Sequence, residues 1–214
     1  MDNYRKIIKL IITYIFILWQ FKICAENGIY SFKAVTFNIL LGKYTLCIFF
    51  GYISLIFDYD LLFGVLNEMT VTRFSSFRKR IATVLSSFAI RVLEYVGMII
   101  IFIIISCFIY EVKFEISKSI VLYVAILFLY LLSENLFSLL LLLITKYPSL
   151  AKCGAIIVNT GVLIIVRYFS TEKAYAVFGI CCFGYIVLSV FISCFIMKRS
   201  DIYVNKNHAH VFEK

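Results

Sequence analysis

Glu134 is the residue least at home in its surroundings: a carboxyl flanked by Ser133 and Asn135, midway along a run dominated by Leu, Ile and Phe. At helical spacing Tyr123, Tyr130, Glu134 and Ser138 fall on one narrow stripe. An ionisable group at membrane depth costs about 2.5–3.5 kcal/mol on insertion scales, so it turns toward a bundle interior or a cavity. Two readings follow for the stripe Tyr130, Glu134 and Ser138. It faces a transport path or a subunit interface, or Glu134 is a hydrogen-bonded group that holds two helices together. Arg91 and Glu94, three residues apart, suit a local ion pair at the headgroup level.

Hydrolytic chemistry needs a nucleophile with its base, or paired metal ligands. Glu94 and Glu134 supply two carboxylates, but neither H-E-x-x-H nor G-x-S-x-G occurs, and both histidines, His208 and His210, lie in a polar tail. The seven cysteines, Cys24, Cys47, Cys107, Cys153, Cys181, Cys182 and Cys194, form no C-x-x-C pair, and most fall inside apolar runs. They read as small core hydrophobes rather than a disulfide framework or a zinc site. G-x-x-x-x-G-K-[ST] is missing too, since the Gly42-Lys43 pair is followed by Tyr44. The expectation is a chain with no catalytic, metal or cofactor residues of its own.

Which elements carry these groups follows from composition. Of 214 residues 63% are hydrophobic and 15% charged, with 22 Phe, 15 Tyr and one Pro. A soluble domain is about 45–50% apolar and about 25% charged, and no soluble fold of this size hides so much apolar side chain. Disorder is excluded by the same hydrophobicity. A spanning helix takes about 20 apolar residues. The expected fold is therefore all-α and membrane-integral, with six spans near residues 7–23, 37–57, 92–110, 119–145, 153–166 and 174–197. Two are ambiguous. The second can slide to residues 45–66, which would make Asp58 and Asp60 intramembrane acids. The fifth is short enough to be re-entrant.

The positive-inside rule tests this count. With the N-terminus cytoplasmic, 14 of the 21 basic residues fall inside, 6 outside, and Lys43 lies at the second span. The inner set includes Arg5, Lys6, Lys9, Lys146, Lys152, Lys198 and Arg199. Both termini are thus expected in the cytoplasm of a multi-pass cell-membrane protein. Orientation accounts for most of the +9 net charge, and no nucleic-acid partner is needed to explain it. The first span reads as an uncleaved anchor, because no small-x-small site follows its apolar run and Lys22 spoils a lipoprotein signal.

One connection is long. Residues 58–91 hold five basic residues, and Phe74, Phe77, Ile81 and Val84 recur at helical spacing. That pattern is a basic amphipathic helix at the cytoplasmic interface. It either docks a partner or anchors to anionic lipid.

Six spans with such an element after the second resemble the permease subunit of an ABC exporter of the ABC-type-2 fold. The run Glu68…Thr72-Arg73-Phe74-Ser75-Ser76…Arg78-Lys79 is similar to a pattern in small permeases associated with bacteriocin and peptide export. The resemblance implies that Glu68, Arg73, Phe74, Ser75, Ser76 and Arg78 belong to a coupling helix docking on a separate ABC ATPase subunit. It also implies a second permease subunit, identical or related, ATP on the partner, and a peptide or amphipathic cargo. The link of residues 168–173 is too short for the re-entrant helices many members carry there. The alternatives are a non-catalytic bacteriocin immunity or accessory protein, and an intramembrane hydrolase.

Overall fold

The structure, a computed structural model, describes residues 2–42, 49–57, 77–145, 147–167 and 171–212. Every regular element among them is helical: α1 (Asp2–Glu26), α2 (Phe32–Leu41), α3 (Gly51–Phe57), α4 (Phe77–Ile109), α5 (Lys118–Thr145), α6 (Pro148–Arg167) and α7 (Thr171–Phe212). Four segments are long and apolar enough to cross a membrane: Tyr4–Glu26, Ala82–Ile109, Lys118–Thr145 and Ala176–Ile196. An all-helical chain suits lipid, because each helix satisfies its own backbone hydrogen bonds.

The helices end on local chemistry. At the end of α1, Gly28 takes φ +70°, its N–H donates to Ala25 O at 3.0 Å, and Ile29 N–H reaches Cys24 O at 2.8 Å. These two bonds form a Schellman stop, which needs a left-handed residue where only Gly avoids a Cβ clash. The end of α4 uses the same device with a poorer residue. Glu111 sits at φ 53° while Val112 N–H donates to Cys107 O at 3.0 Å.

Two differences from the sequence expectation concern element boundaries. The expected second span is not one helix. Chain direction is set by α2, which closes at Leu41 with Gly42 N–H donating to Asn38 O, and then by α3. The expected amphipathic helix is not separate from the third span either. From Phe77 onward its described part is the N-terminal extension of α4, 33 residues without a break. Nothing between Phe77 and Ile109 is a Pro, and its one Gly, Gly97, leaves the helix intact.

Side-chain pairings fix the helix directions. Thr13 meets Tyr95 at 3.0 Å, Tyr14 packs on Phe102 with ring centroids 5.0 Å apart, and Tyr110 donates to Leu18 O at 3.4 Å. Partners advance together along both helices, so α1 and α4 run parallel. Helix α5 runs back against α4, with Val84 and Phe88 clustered on Leu136, Leu139 and Leu142. Helix α7 is parallel to α5, because Phe178 packs on Tyr130 and Tyr185 on Phe137. The chain must therefore return along the bundle between α5 and α7. Helix α6, at 20 residues, is about 30 Å long, enough for that return.

Helix α5 is central: 67% of its apolar window is buried, against 39% for α4, 28% for α1 and 22% for α7. It packs on α2, α3, α4, α6 and α7. The peripheral helices turn large apolar side chains outward, as Ile180, Phe183, Val187 and Phe191 do on α7 and Ile11, Ile15 and Trp19 on α1. Surfaces of that kind need lipid.

We predict that Gly28→Ala lowers the unfolding free energy in detergent by about 1 kcal/mol, the cost of an L-residue in the left-handed region. An unchanged chemical-denaturation midpoint would contradict the Schellman stop.

Candidate functional site

Near the middle of α5, Tyr130, Ser133, Glu134, Asn135 and Ser138 are all buried, none more than 2% exposed. A helix this apolar hides a polar group by hydrogen-bonding it to its own backbone, and two of the five do so. Ser133 Oγ donates to Tyr130 O at 2.8 Å, and Asn135 Nδ2 donates to Leu131 O at 2.7 Å. These two residues are thereby accounted for as structural.

Glu134 is different. Tyr130, one turn earlier, donates its hydroxyl proton to Glu134 Oε1, the i, i+4 contact that the stripe requires. Glu134 Oε2 and Ser138 Oγ have no hydrogen-bond partner among the described residues. Buried polar atoms left without a partner cost about 1–3 kcal/mol each.

The pair is enclosed from two other helices. Across from it lies Gly51, the first residue of α3. A Cβ there would collide with Glu134 Oε2 and lie 2.8 Å from both Glu134 Oε1 and the Tyr130 hydroxyl. From α7, Phe178 closes on the Tyr130 ring at 5.8 Å between centroids. Glu134 thus sits where α3, α5 and α7 meet. Tyr123, further along the stripe, packs edge-on against Phe37 of α2 at 5.4 Å.

The structure brings together Tyr130 and Glu134 of the expected stripe and leaves Ser138 one turn away, buried and unbonded among the described residues. Glu68, Arg73, Phe74, Ser75 and Ser76 lie outside the described residues. Arg78 lies in the first turn of α4. Arg91 and Glu94 are exposed and are not joined as the spacing predicts. On α6 and α7, Gly154 and Gly179 permit close helix contacts, their Cβ positions meeting Leu141 at 2.8 Å and Ile126 at 3.5 Å. Gly161 and Gly184 have nothing within 4 Å. Sequence reasoning missed Gly51. Its only signal was a glycine inside an aromatic-rich run, Phe49-Phe50-Gly51-Tyr52.

Among the described residues no group of three or more His, Cys, Asp and Glu could hold a metal ion, and Cys24, Cys107, Cys153, Cys181, Cys182 and Cys194 form no disulfide with one another. The site therefore offers one carboxyl, one phenol and one serine hydroxyl, which suit binding a polar group or a proton. No protein-family model matches the chain, and neither does any curated protein or solved structure.

Gly51→Ala is expected to force the carboxyl and phenol aside and to destabilise the protein by about 1–3 kcal/mol, the usual cost of overpacking. Gly184→Ala, into open space, should be neutral or slightly stabilising. Equal unfolding temperatures for Gly51→Ala and Gly184→Ala in detergent would contradict the enclosure of Glu134 by α3.

Proposed function

We propose that this chain is the membrane-spanning permease subunit of an ATP-driven exporter, paired with a second permease subunit and powered by a separate ABC ATPase. The observation that carries the reading is helix direction. Parallel α1 and α4 favour a crossing back between them, and parallel α5 and α7 favour the same for α6. Six crossings is the count that this reading takes, with the N-terminal ends of α1 and α4 on one side. The basic residues Arg5 and Lys6, Arg78, Lys152, and Lys198 and Arg199 then belong to one side, which the positive-inside rule assigns to the cytoplasm.

In this reading the basic run that ends at Arg78, at the start of α4, is where an ATPase subunit docks. Because α4 continues from Phe77 to Ile109 unbroken, a tilt imposed at its basic end is carried through the bundle as a rigid rod. The receiving contacts are the Val84 and Phe88 cluster on α5, the helix that holds Glu134. Movement of α5 against α3 would open or close the contact at Gly51. The cargo proposed, a peptide or amphipathic compound, rests on the resemblance of the Glu68–Lys79 run. Glu134 Oε2 and Ser138 Oγ are the polar atoms such a cargo would find in the bundle.

Charge reversal at Arg73 and Arg78 together is expected to cut recovery of an ABC ATPase with the tagged chain by tenfold or more, with membrane insertion unchanged. Undiminished recovery would contradict the coupling role. In the same cells Glu134→Gln should lower transport while the protein still folds, and normal transport would leave Glu134 only a packing role.

A further inference from the structure

A second polar feature lies between the N-terminal part of α1 and the middle of α4. Lys6, Lys9 and Arg91 line a cavity of about 350 Å³ with Glu94 and Tyr95. The lining carries three cations and one carboxylate. Helical spacing explains the convergence. Lys6, Lys9, Leu10 and Thr13 share one face of α1, and Arg91, Tyr95 and Met98 share one face of α4.

Lys9 sets this cleft apart from an ordinary solvated basic surface. It is only 7% exposed, and its ammonium lies 4.0 Å from the centroid of the Tyr95 ring. The ring is itself fixed. Thr13 donates to Lys9 O at 2.8 Å, which commits its one proton, so Tyr95 is the donor in the 3.0 Å contact between their hydroxyls. A long cation held this way has lost its rotamer freedom in advance, and an incoming anion need not order it.

The lining identifies the anion. Leu10 and Met98 also line the cavity, and Ile7, Ile11 and Leu93 stand exposed beside it. An apolar rim next to a cationic pocket suits a ligand with a phosphate head and a hydrocarbon tail.

We propose that this α1–α4 cleft binds a phosphate group, presented by the headgroup of an anionic phospholipid, through Lys6, Lys9 and Arg91. The site is independent of the exporter reading, so either can fail alone.

The test is a ligand titration of the full chain in detergent, followed by thermal unfolding and native mass spectrometry. The probes are dioctanoyl-phosphatidylglycerol, dioctanoyl-phosphatidylcholine and inorganic phosphate. Phosphatidylglycerol should bind and raise the unfolding temperature, with phosphatidylcholine much weaker. Lys6→Gln and Arg91→Gln should each weaken phosphatidylglycerol by about fivefold, and Glu94→Gln should tighten it by about the same factor. The opposite sign at Glu94 separates charge recognition from a folding defect. A response to phosphatidylglycerol alone assigns the lipid headgroup, as proposed. An equal response to inorganic phosphate keeps the phosphate site but overturns the lipid assignment. Equal binding of the two lipids, or affinities untouched by all three substitutions, overturns the site.

Discussion

Burying one carboxyl governs how this bundle is assembled. Glu134 sits in the most buried of the four apolar segments long enough to cross a membrane, and neither lipid nor close-packed Leu and Ile offers it a partner. Tyr130 supplies one hydrogen bond from the same helix. The remaining protection comes from sequence-distant elements: the bare Cα of Gly51 on α3 and the Phe178 ring on α7. Any larger residue at 51 would push α3 away and open the carboxyl to lipid. The contact therefore ties together the second, fourth and last parts of the chain, while the aliphatic clusters fill the space around it.

The second organising feature is the pairing of parallel helices, α1 with α4 and α5 with α7. Parallel neighbours cannot be joined by a short loop, so each pair requires a return segment between its members. For α5 and α7 that segment is α6. For α1 and α4 it begins with α2 and α3, and the two aromatic residues just before α3 pack on both sides: Phe49 stacks on Phe16 of α1 at 3.6 Å between centroids, and Phe50 meets Tyr95 of α4 edge-on at 6.4 Å. In the exporter reading, α4 joins the cytoplasmic basic segment to the bundle, and its long uninterrupted form is what a mechanical link requires. The cationic cleft at its junction with α1 would seat that link in the headgroup layer.

Much of this was legible in the sequence, and the reasons differ from residue to residue. The helical, lipid-facing character follows from composition, because no other environment accepts so much apolar side chain. The Tyr130–Glu134 contact was legible because one helical turn is a local rule, needing no tertiary information. Gly51 was not, since its role depends on a residue 83 positions away in sequence, from Gly51 to Glu134. The break at Gly42 was hidden by apolar residues continuing on both sides of it. The Arg91–Glu94 ion pair was a reasonable local expectation, but both side chains instead line the cleft shared with α1. Lys9 looked like one more inner-face charge, and the Tyr95 ring that covers its ammonium lies on another helix.

Sided chemical labelling is the most direct test of the central claim, that parallel helix pairs give six crossings with the basic segment inside. In a chain whose seven native cysteines are replaced by Ala, single cysteines would be introduced between the helices. A membrane-impermeant maleimide applied to intact cells should modify Asn27→Cys, Glu115→Cys and Ser170→Cys. It should spare Asn3→Cys, Ser75→Cys, Tyr147→Cys and Asn205→Cys until the membrane is permeabilised. Labelling of Ser75→Cys from outside, or protection of Ser170→Cys, would contradict the account.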